Sequence, residues 1–417
     1  MLFKAQLKMN TELVTLGNGL KVVLVPCEAE SAAFGLFIAS GSRHETADRA
    51  GISHFIEHML FKGTPKRSQL EITQAIEGRG GNFNAWTSEE STAYFTHVPY
   101  EHLAEAVDIL ADMYLHASIP ANEFKREKQV ILEEIKMYRD EPDSVAMENL
   151  QLALFPGCRL GAPIAGDESS LTPMTPKDLK DYIAQNYRAD NTVAVLAGRF
   201  NRDKAIALID KKLGGKFRNR TTLNKPKRCR FADPTGEIVV TKEVLQAQLA
   251  LGFRTFGISD KRKYAATVFD AIMGRGMSSR LFQSVREKRG LSYDISSRMQ
   301  FFRDAGMWTV CAGLDAAKTD QTLSTIESEL KRICEKPVSS AELERTKEFL
   351  TGNFRMSHER VTSKLFYHGS TMLSFGRLVP ASEQVEGIRK VSSQDVLDVA
   401  REILNPARRS VSWVLPR

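Results

Sequence analysis

Cysteine is scarce in this chain, with five in 417 residues, at positions 27, 158, 229, 311 and 334. They are odd in number and far apart, and no C-x-x-C pair occurs. Neither a zinc knuckle nor a redox dithiol can therefore be built from sequence neighbours. Free, mostly buried thiols in a reducing compartment are the expectation. Long hydrophobic runs are missing too, and no stretch reaches the ~20 apolar residues that a membrane-spanning helix needs. The opening MLFKAQLKMNTELVTLGNGLKVVLVP has no basic segment followed by a sustained apolar run. No signal peptide is expected from it, and a cytoplasmic location is the default. Charge of one sign is also absent. Lys and Arg number 58 against 51 Asp and Glu, a formal net charge of +7, but bases and acids are interspersed. That reads as a solvated surface of mixed sign and argues against a nucleic-acid partner.

What is present is apolar material for more than one core, 42% of residues, in a chain long enough for two or three domains. Residues 13–25, LVTLGNGLKVVLV, read as a hairpin around Gly-Asn-Gly, and AAFGLFIASGS follows as a buried strand. Helical periodicity then covers 51–62, 68–77, 103–114 and 122–139. NTVAVLAG (191–198) is another strand and 202–213 another helix. The segment 216–235, KFRNRTTLNKPKRCRFADPT, is basic, polar and broken by two prolines, and is the expected linker. Beyond it the pattern recurs: strands GEIVVTK and QAQLALGF, then helices over 263–273, 279–288, 319–334 and 340–357. The order of elements in 1–215 and 236–417 is similar, which points to a duplicated α+β domain.

One helix carries chemistry. AGISHFIEHMLFKGT contains H-x-x-E-H at His54, Glu57 and His58. At about 100° per residue, His54 and His58 share a face, and Glu57 lies beside them. Two imidazoles one turn apart can converge on a single Zn²⁺. Ile52, Phe55, Ile56, Met59 and Leu60 form the opposite, apolar stripe. A catalytic zinc needs a third protein ligand and an open position for water. In NEFKREKQVILEEIKMYRD the wheel places Phe124, Val130, Ile131, Ile135, Met137 and Tyr138 on one arc, and Glu133 among Lys125, Arg126, Gln129 and Lys136 opposite. Glu127 and Glu134 fall inside the apolar arc. A buried carboxylate costs several kcal/mol unless a positive group meets it. Zn²⁺ would compensate Glu134, with Glu127 hydrogen-bonding a ligand from outside the coordination sphere. The competing reading is that both acids pair with buried Arg or Lys in a structural network.

H-x-x-E-H with a glutamate 76 positions after His58, and Glu127 seven before it, is the inverzincin spacing. The chain closely resembles the pitrilysin, insulysin and mitochondrial-processing-peptidase family. The likeness runs through GGNFNAWTSEESTAYF (80–95), LGAPIAGDESSL (160–171), YRADNTVAVLAG (187–198) and SSRLFQSVREKRGLSYDISS (278–297). It implies two similar α+β domains, each a largely antiparallel β-sheet covered by helices, together half of a clamshell peptidase. It further implies one Zn²⁺ per chain on His54, His58 and Glu134, with Glu57 as general base and Glu127 outside the ligands. Asn84 and Ala85 match the edge strand that pairs with the substrate backbone. Arg286 and Tyr293 match a pair that binds substrate and steadies the oxyanion. The family's long members supply both halves in one chain, so a homodimer with a shared chamber and a peptide substrate are expected here. Processing-peptidase regulatory subunits carry a long glycine-rich loop where this chain has only MGRGMSSRL, which fits the shorter bacterial-type members. The alternative within the same fold is a non-catalytic core or regulatory subunit. The remaining histidines, His44, His97, His102, His116, His358 and His368, lack partners at ligand spacing and read as structural or exposed.

Overall fold

The computed structural model describes residues 11–215 and 231–417. These fall into two compact units. The first takes its described residues from 11–135, 163–215 and 356–381, the second from 136–162, 231–355 and 382–417. Residues 216–230 of the expected linker lie outside the described residues.

The first sheet contains β1 (Glu12–Thr15), β2 (Lys21–Pro26), β3 (Ser31–Ile38), β4 (Asn82–Thr87), β5 (Thr92–Pro99) and β6 (Thr192–Gly198), in the order β1-β2-β6-β3-β5-β4. The first hairpin is as the sequence suggested, β1 pairing antiparallel with β2. Period-2 alternation sorts the buried strands onto two faces. Val22, Leu24, Phe34, Leu36, Ala194 and Leu196 join one core with the helices α1 (Ile52–Leu60), α3 (Leu103–His116) and α4 (Ala121–Asp140). Between α1 and α3 lies α2 (Gln69–Glu77). Val23, Val25, Phe37, Val193 and Val195 join the other core, closed by Val361, Leu365 and Met372 of the helix Val361–Phe375.

The second sheet, β7 (Gly236–Lys242), β8 (Ala247–Thr255), β9 (Ser292–Phe301), β10 (Gly306–Leu314) and β11 (Arg409–Pro416), runs β7-β11-β8-β10-β9. One face packs on the helices Lys263–Gly274, Thr319–Glu335, Ser340–Ser357 and Ser393–Ile403. The other packs on α5 (Pro142–Leu154) through Ala146, Leu150 and Leu154. The two sheets repeat one plan. β2-β6 and β7-β11 are parallel, and each is followed by three antiparallel pairings in the same order. The duplicated α+β reading holds. A helix from the first half of the chain covers the second sheet and one from the second half covers the first, an exchange that element order along the chain does not reveal.

Three local expectations need correction. The apolar arc of α4 is narrower than the wheel suggested. Phe124, Glu127, Ile131 and Ile135 are buried, whereas Val130, Met137 and Tyr138 are exposed. A wheel marks what a helix could bury, while the neighbouring elements decide how much of the arc they cover. Residues 282–287, expected as α-helix, wind as a π-helix, with Lys288 N bonding Gln283 O five residues back. Cys158 is disulfide-bonded while Cys27, Cys311 and Cys334 are free, so the thiols are not all unpaired. Cys158 has no close cysteine neighbour in sequence to signal a bridge.

Candidate metal centre and substrate edge

The start of α1 is fixed before any ligand is considered. Gly51 has φ +87°, and a Cβ there would stand 2.3 Å from Ala165 O. Reciprocally Gly166 has φ +73°, and a Cβ there would stand 2.4 Å from Ala50 O. Only glycine fits both sides of this crossing, and Ser170 Oγ donates to Ala50 O at 2.9 Å. Buried Glu45 accepts from Gly51 N and Ser53 N, both at 2.8 Å, so its carboxylate satisfies the amides at the positive end of the helix. Ser53 Oγ in turn meets Tyr182 OH at 3.1 Å. Ile52, Phe55, Ile56, Met59 and Leu60 are buried as their stripe implied. Phe55 stacks on Phe124 of α4, ring centroids 4.7 Å apart at 16°. That contact seats α4 across α1.

The result is a convergence of three side chains. His54 Nε2 lies 3.8 Å and His58 Nε2 3.5 Å from Glu134 Oε2. One donor atom from each residue falls within 4.8 Å of the other two. Ligands held at roughly 2.0–2.1 Å in a tetrahedron sit roughly 3.3 Å apart. The observed separations are slightly wider than that edge, and too long for good direct hydrogen bonds. Two imidazole nitrogens and a carboxylate oxygen so arranged fit a divalent ion such as Zn²⁺.

The surroundings favour the neutral, ligand form of His54. Burial, aided by nearby His58, pulls the His54 pKa down to about 4, so its ring is neutral near pH 7. His58 is pulled down by burial but pushed up further by the neighbouring carboxylates of Glu134 and Glu127, which leaves it raised. The same two carboxylates would meet a bound cation. His58 Nδ1 lies 3.1 Å from Glu127 Oε2, so the tautomer that donates there leaves Nε2 turned toward Glu134 as a lone pair. Glu127 Oε1 is bonded to Lys62 Nζ at 2.6 Å. Both readings of Glu127 therefore apply: it bonds a candidate ligand and pairs with a lysine. Burial raises the Glu57 pKa, opposed by a hydrogen bond from Thr87 and by His58. Thr87 Oγ1 donates to Glu57 Oε2 at 2.5 Å.

Thr87 ends β4, the edge of the first sheet and the strand that carries Asn84 and Ala85. Ser88 N bonds Ser91 O at 2.8 Å, closing the β4–β5 hairpin. Counting back from that bond, residues 84 and 86 bond β5, while Phe83, Ala85 and Thr87 turn their amides and carbonyls to the open edge. In agreement, Ala85 N is taken by the side chain of Asn84, Oδ1 at 2.8 Å. Phe83 packs against Phe61 just past α1, centroids 5.2 Å apart, and so sets the edge beside the helix.

Arg286 and Tyr293 lie in the second unit, side by side. The guanidinium stands 4.7 Å from the Phe282 ring and 4.9 Å from the Tyr293 ring. Tyr293, on edge strand β9, is 79% exposed, so it is not the packed strand aromatic that its sequence context alone would suggest.

Two family models match in tandem. Insulinase (Peptidase family M16) covers residues 21–168, and Peptidase M16 inactive domain covers residues 173–350. The chain is 37% identical over 392 residues to the uncharacterized zinc protease YmxG of Bacillus subtilis, spanning 93% of this chain and 94% of that protein. It is 32% identical to an uncharacterized zinc protease of Rickettsia felis, spanning 96% of each. This chain belongs to peptidase family M16. In fold it is similar to a protease from Helicobacter pylori, with a TM-score of 0.93 at 22% identity over 98% of this chain and 99% of that one. It is also similar to a peptidase M16 inactive domain from Pseudomonas fluorescens, with a TM-score of 0.90 at 21% identity over 98% of each. His54, His58 and Glu134 all fall in the first M16 range and none in the range described as inactive.

The sequence reading missed three residues that brace this candidate site. Lys62 is four residues after His58 on the same helix face, a signal that periodicity carries. Thr87 is two after Ala85 and so shares its side of the strand, a signal that alternation carries. Glu45 had no local signal, because its role depends on a loop folding back on α1. Among the other histidines, His97 Nε2 meets Ser31 Oγ at 2.9 Å and His44 Nδ1 accepts from Gly41 N at 3.1 Å.

Proposed function

We propose that this chain is a zinc-dependent endopeptidase acting on peptides or unfolded polypeptides. The observation that carries the proposal is the meeting of His54, His58 and Glu134 from two helices, with Glu57 on the same turn. Bound there, Zn²⁺ would supply an acidified water and Lewis acidity toward the scissile carbonyl. His54, His58 and Glu134 would hold it, and Glu127 would fix the orientation of His58. A substrate segment adds as a strand to the open edge of β4 and replaces the Asn84 side chain at Ala85 N. Glu57 then takes the proton of the attacking water and returns it to the leaving amine. Arg286 and Tyr293, from the second domain of a partner chain in a homodimer, bind substrate and stabilise the developing oxyanion. The reading is supported by relatives named zinc proteases and by the single tandem of one M16 domain with one inactive domain per chain. An intact donor set weighs against a non-catalytic subunit.

The test is cleavage of a fluorogenic peptide library by the zinc-loaded protein, with and without chelator, beside the Glu57→Gln variant. Cleavage abolished by chelator, and lost in a Glu57→Gln protein that still holds stoichiometric zinc, is the expected result. Unchanged turnover in that variant would remove Glu57 as the base, and no cleavage by wild type would defeat the peptidase reading.

A further inference from the structure

We infer that Thr87 is a positioning residue that ties the substrate edge to the general base. This rests on the peptidase reading above and deepens it. Thr87 has two jobs by geometry. Its backbone N–H and C=O face the open edge of β4, where an added strand would bond. Its side-chain hydroxyl donates to Glu57 Oε2 at 2.5 Å. Glu57 Oε1 receives no hydrogen bond from the described residues, so one carboxylate oxygen is anchored and the other is left to work.

A carboxylate on a helix can rotate about three side-chain bonds, and a general base must stand within about 2.6–3.2 Å of the proton it takes. Nothing else among the described residues holds Glu57 by a hydrogen bond. The anchor is on the strand that registers the peptide, so base and scissile bond are placed from one residue. Thr87 neither gains nor loses a proton in the step. Its hydroxyl donates to Oε2 while Oε1 takes the proton from the attacking water and later releases it to the leaving amine.

The experiment compares wild type, Thr87→Val and Thr87→Ser, each zinc-loaded, on one fluorogenic peptide. Valine keeps shape and backbone but lacks the donor, and serine keeps the donor. A small misplacement of a reacting group costs up to about 100-fold in rate. Thr87→Val should therefore lose about 10- to 100-fold in kcat with KM unchanged, and Thr87→Ser should recover most of it. Two readouts that do not use turnover accompany this. Zinc content should equal that of wild type in both variants. An unlabelled peptide should bind Glu57→Gln and Glu57→Gln/Thr87→Val with equal affinity, since the backbone edge is untouched. Retained kcat in Thr87→Val, a loss confined to KM, failed rescue by serine, or loss of zinc or of folding in the valine variant would each overturn the inference, the last by making the role structural. Inactivity of wild type, or full activity of Glu57→Gln, would instead defeat the underlying function.

Discussion

Replacing Glu127 by alanine separates the outer support of the proposed metal centre from its proposed ligands. The Glu127 side chain is 7% exposed and makes two bonds, Oε2 to His58 Nδ1 at 3.1 Å and Oε1 to Lys62 Nζ at 2.6 Å. Alanine removes both. His58 then lacks the acceptor that fixes its tautomer and ring plane, a change that typically costs about 10- to 100-fold in metal affinity, or about 1.4–2.7 kcal/mol. Lys62 loses its counter-charge. Breaking a fully buried ion pair costs roughly 3–5 kcal/mol, but the Lys62 side chain is 15% exposed on a flexible stem and can turn toward water, so a stability loss of about 1–3 kcal/mol is expected. Glu127→Gln should fall between: its amide oxygen still accepts from Nδ1–H, but the charge facing Lys62 is gone, and a loss of about 10-fold in affinity follows. Zinc affinity is read by competition with a chromophoric chelator, and stability by urea unfolding of the metal-free protein. If Glu127→Ala binds zinc within about threefold of wild type, the proposed support for His58 is wrong.

Two further outcomes follow. His368, buried on Val361–Phe375, has its pKa lowered to about 4 by burial and by the charges of His358 and Lys364. The unfolded chain takes up this proton below about pH 6.5, whereas the folded chain refuses it until about pH 4. Stability is thus full above the unfolded value and drains as pH falls, by roughly 2 kcal/mol between pH 7 and pH 5. His368→Gln should remove that part of the slope in urea unfolding at the two pH values, and an unchanged slope would refute the assignment. In the proposed homodimer, Glu57→Gln and Tyr293→Phe subunits, each inactive alone, should regain about a quarter of wild-type activity when mixed and re-associated in equal amounts. Half the dimers are then mixed, and each carries one complete site. No recovery would argue against a site shared between chains.

The convergence of the candidate ligands was legible because each left a periodic trace. His54 and His58 stand opposite a full apolar stripe, and Glu134 stands in an arc where a carboxylate is otherwise out of place. What the pattern could not supply was the width of that arc. Val130, Met137 and Tyr138 belong to it by angle, yet they are exposed, while Phe124, Glu127, Ile131 and Ile135 take the buried line. The exchange of α5 and Val361–Phe375 between sheets was equally hidden. A helix that covers a distant sheet shows the same amphipathic pattern as one that covers its own. Arg286 and Tyr293 came from resemblance alone, since an exposed tyrosine on an edge strand has no signature in spacing. The π-helical turn that carries Arg286 was concealed for a related reason, because an α-helix and a π-helix draw on the same residue types.

The repeated plan of the two sheets gives the Thr87–Glu57 bond an internal comparison. In the first sheet, α1 follows β3 and packs beside edge strand β4, and the strand hydroxyl donates to the helix carboxylate. In the second, the helix Lys263–Gly274 follows β8 and packs beside edge strand β9, and Ser297 Oγ donates to Asp270 Oδ1 at 2.7 Å. There the carboxylate also accepts from Trp308 Nε1 at 2.9 Å and pairs with Arg275, and Asp270 is fully buried. No histidine stands on that helix. A carboxylate satisfied on every side and screened from water is a structural anchor. Glu57 differs in the respects that chemistry requires: one bonded oxygen, no paired cation in direct contact, and two imidazoles on its own turn. If the first bond were merely the structural counterpart of the second, Thr87→Val should destabilise the fold as Ser297→Ala would destabilise the second unit. A fall in kcat at unchanged melting temperature and zinc content is the outcome that only the positioning role produces.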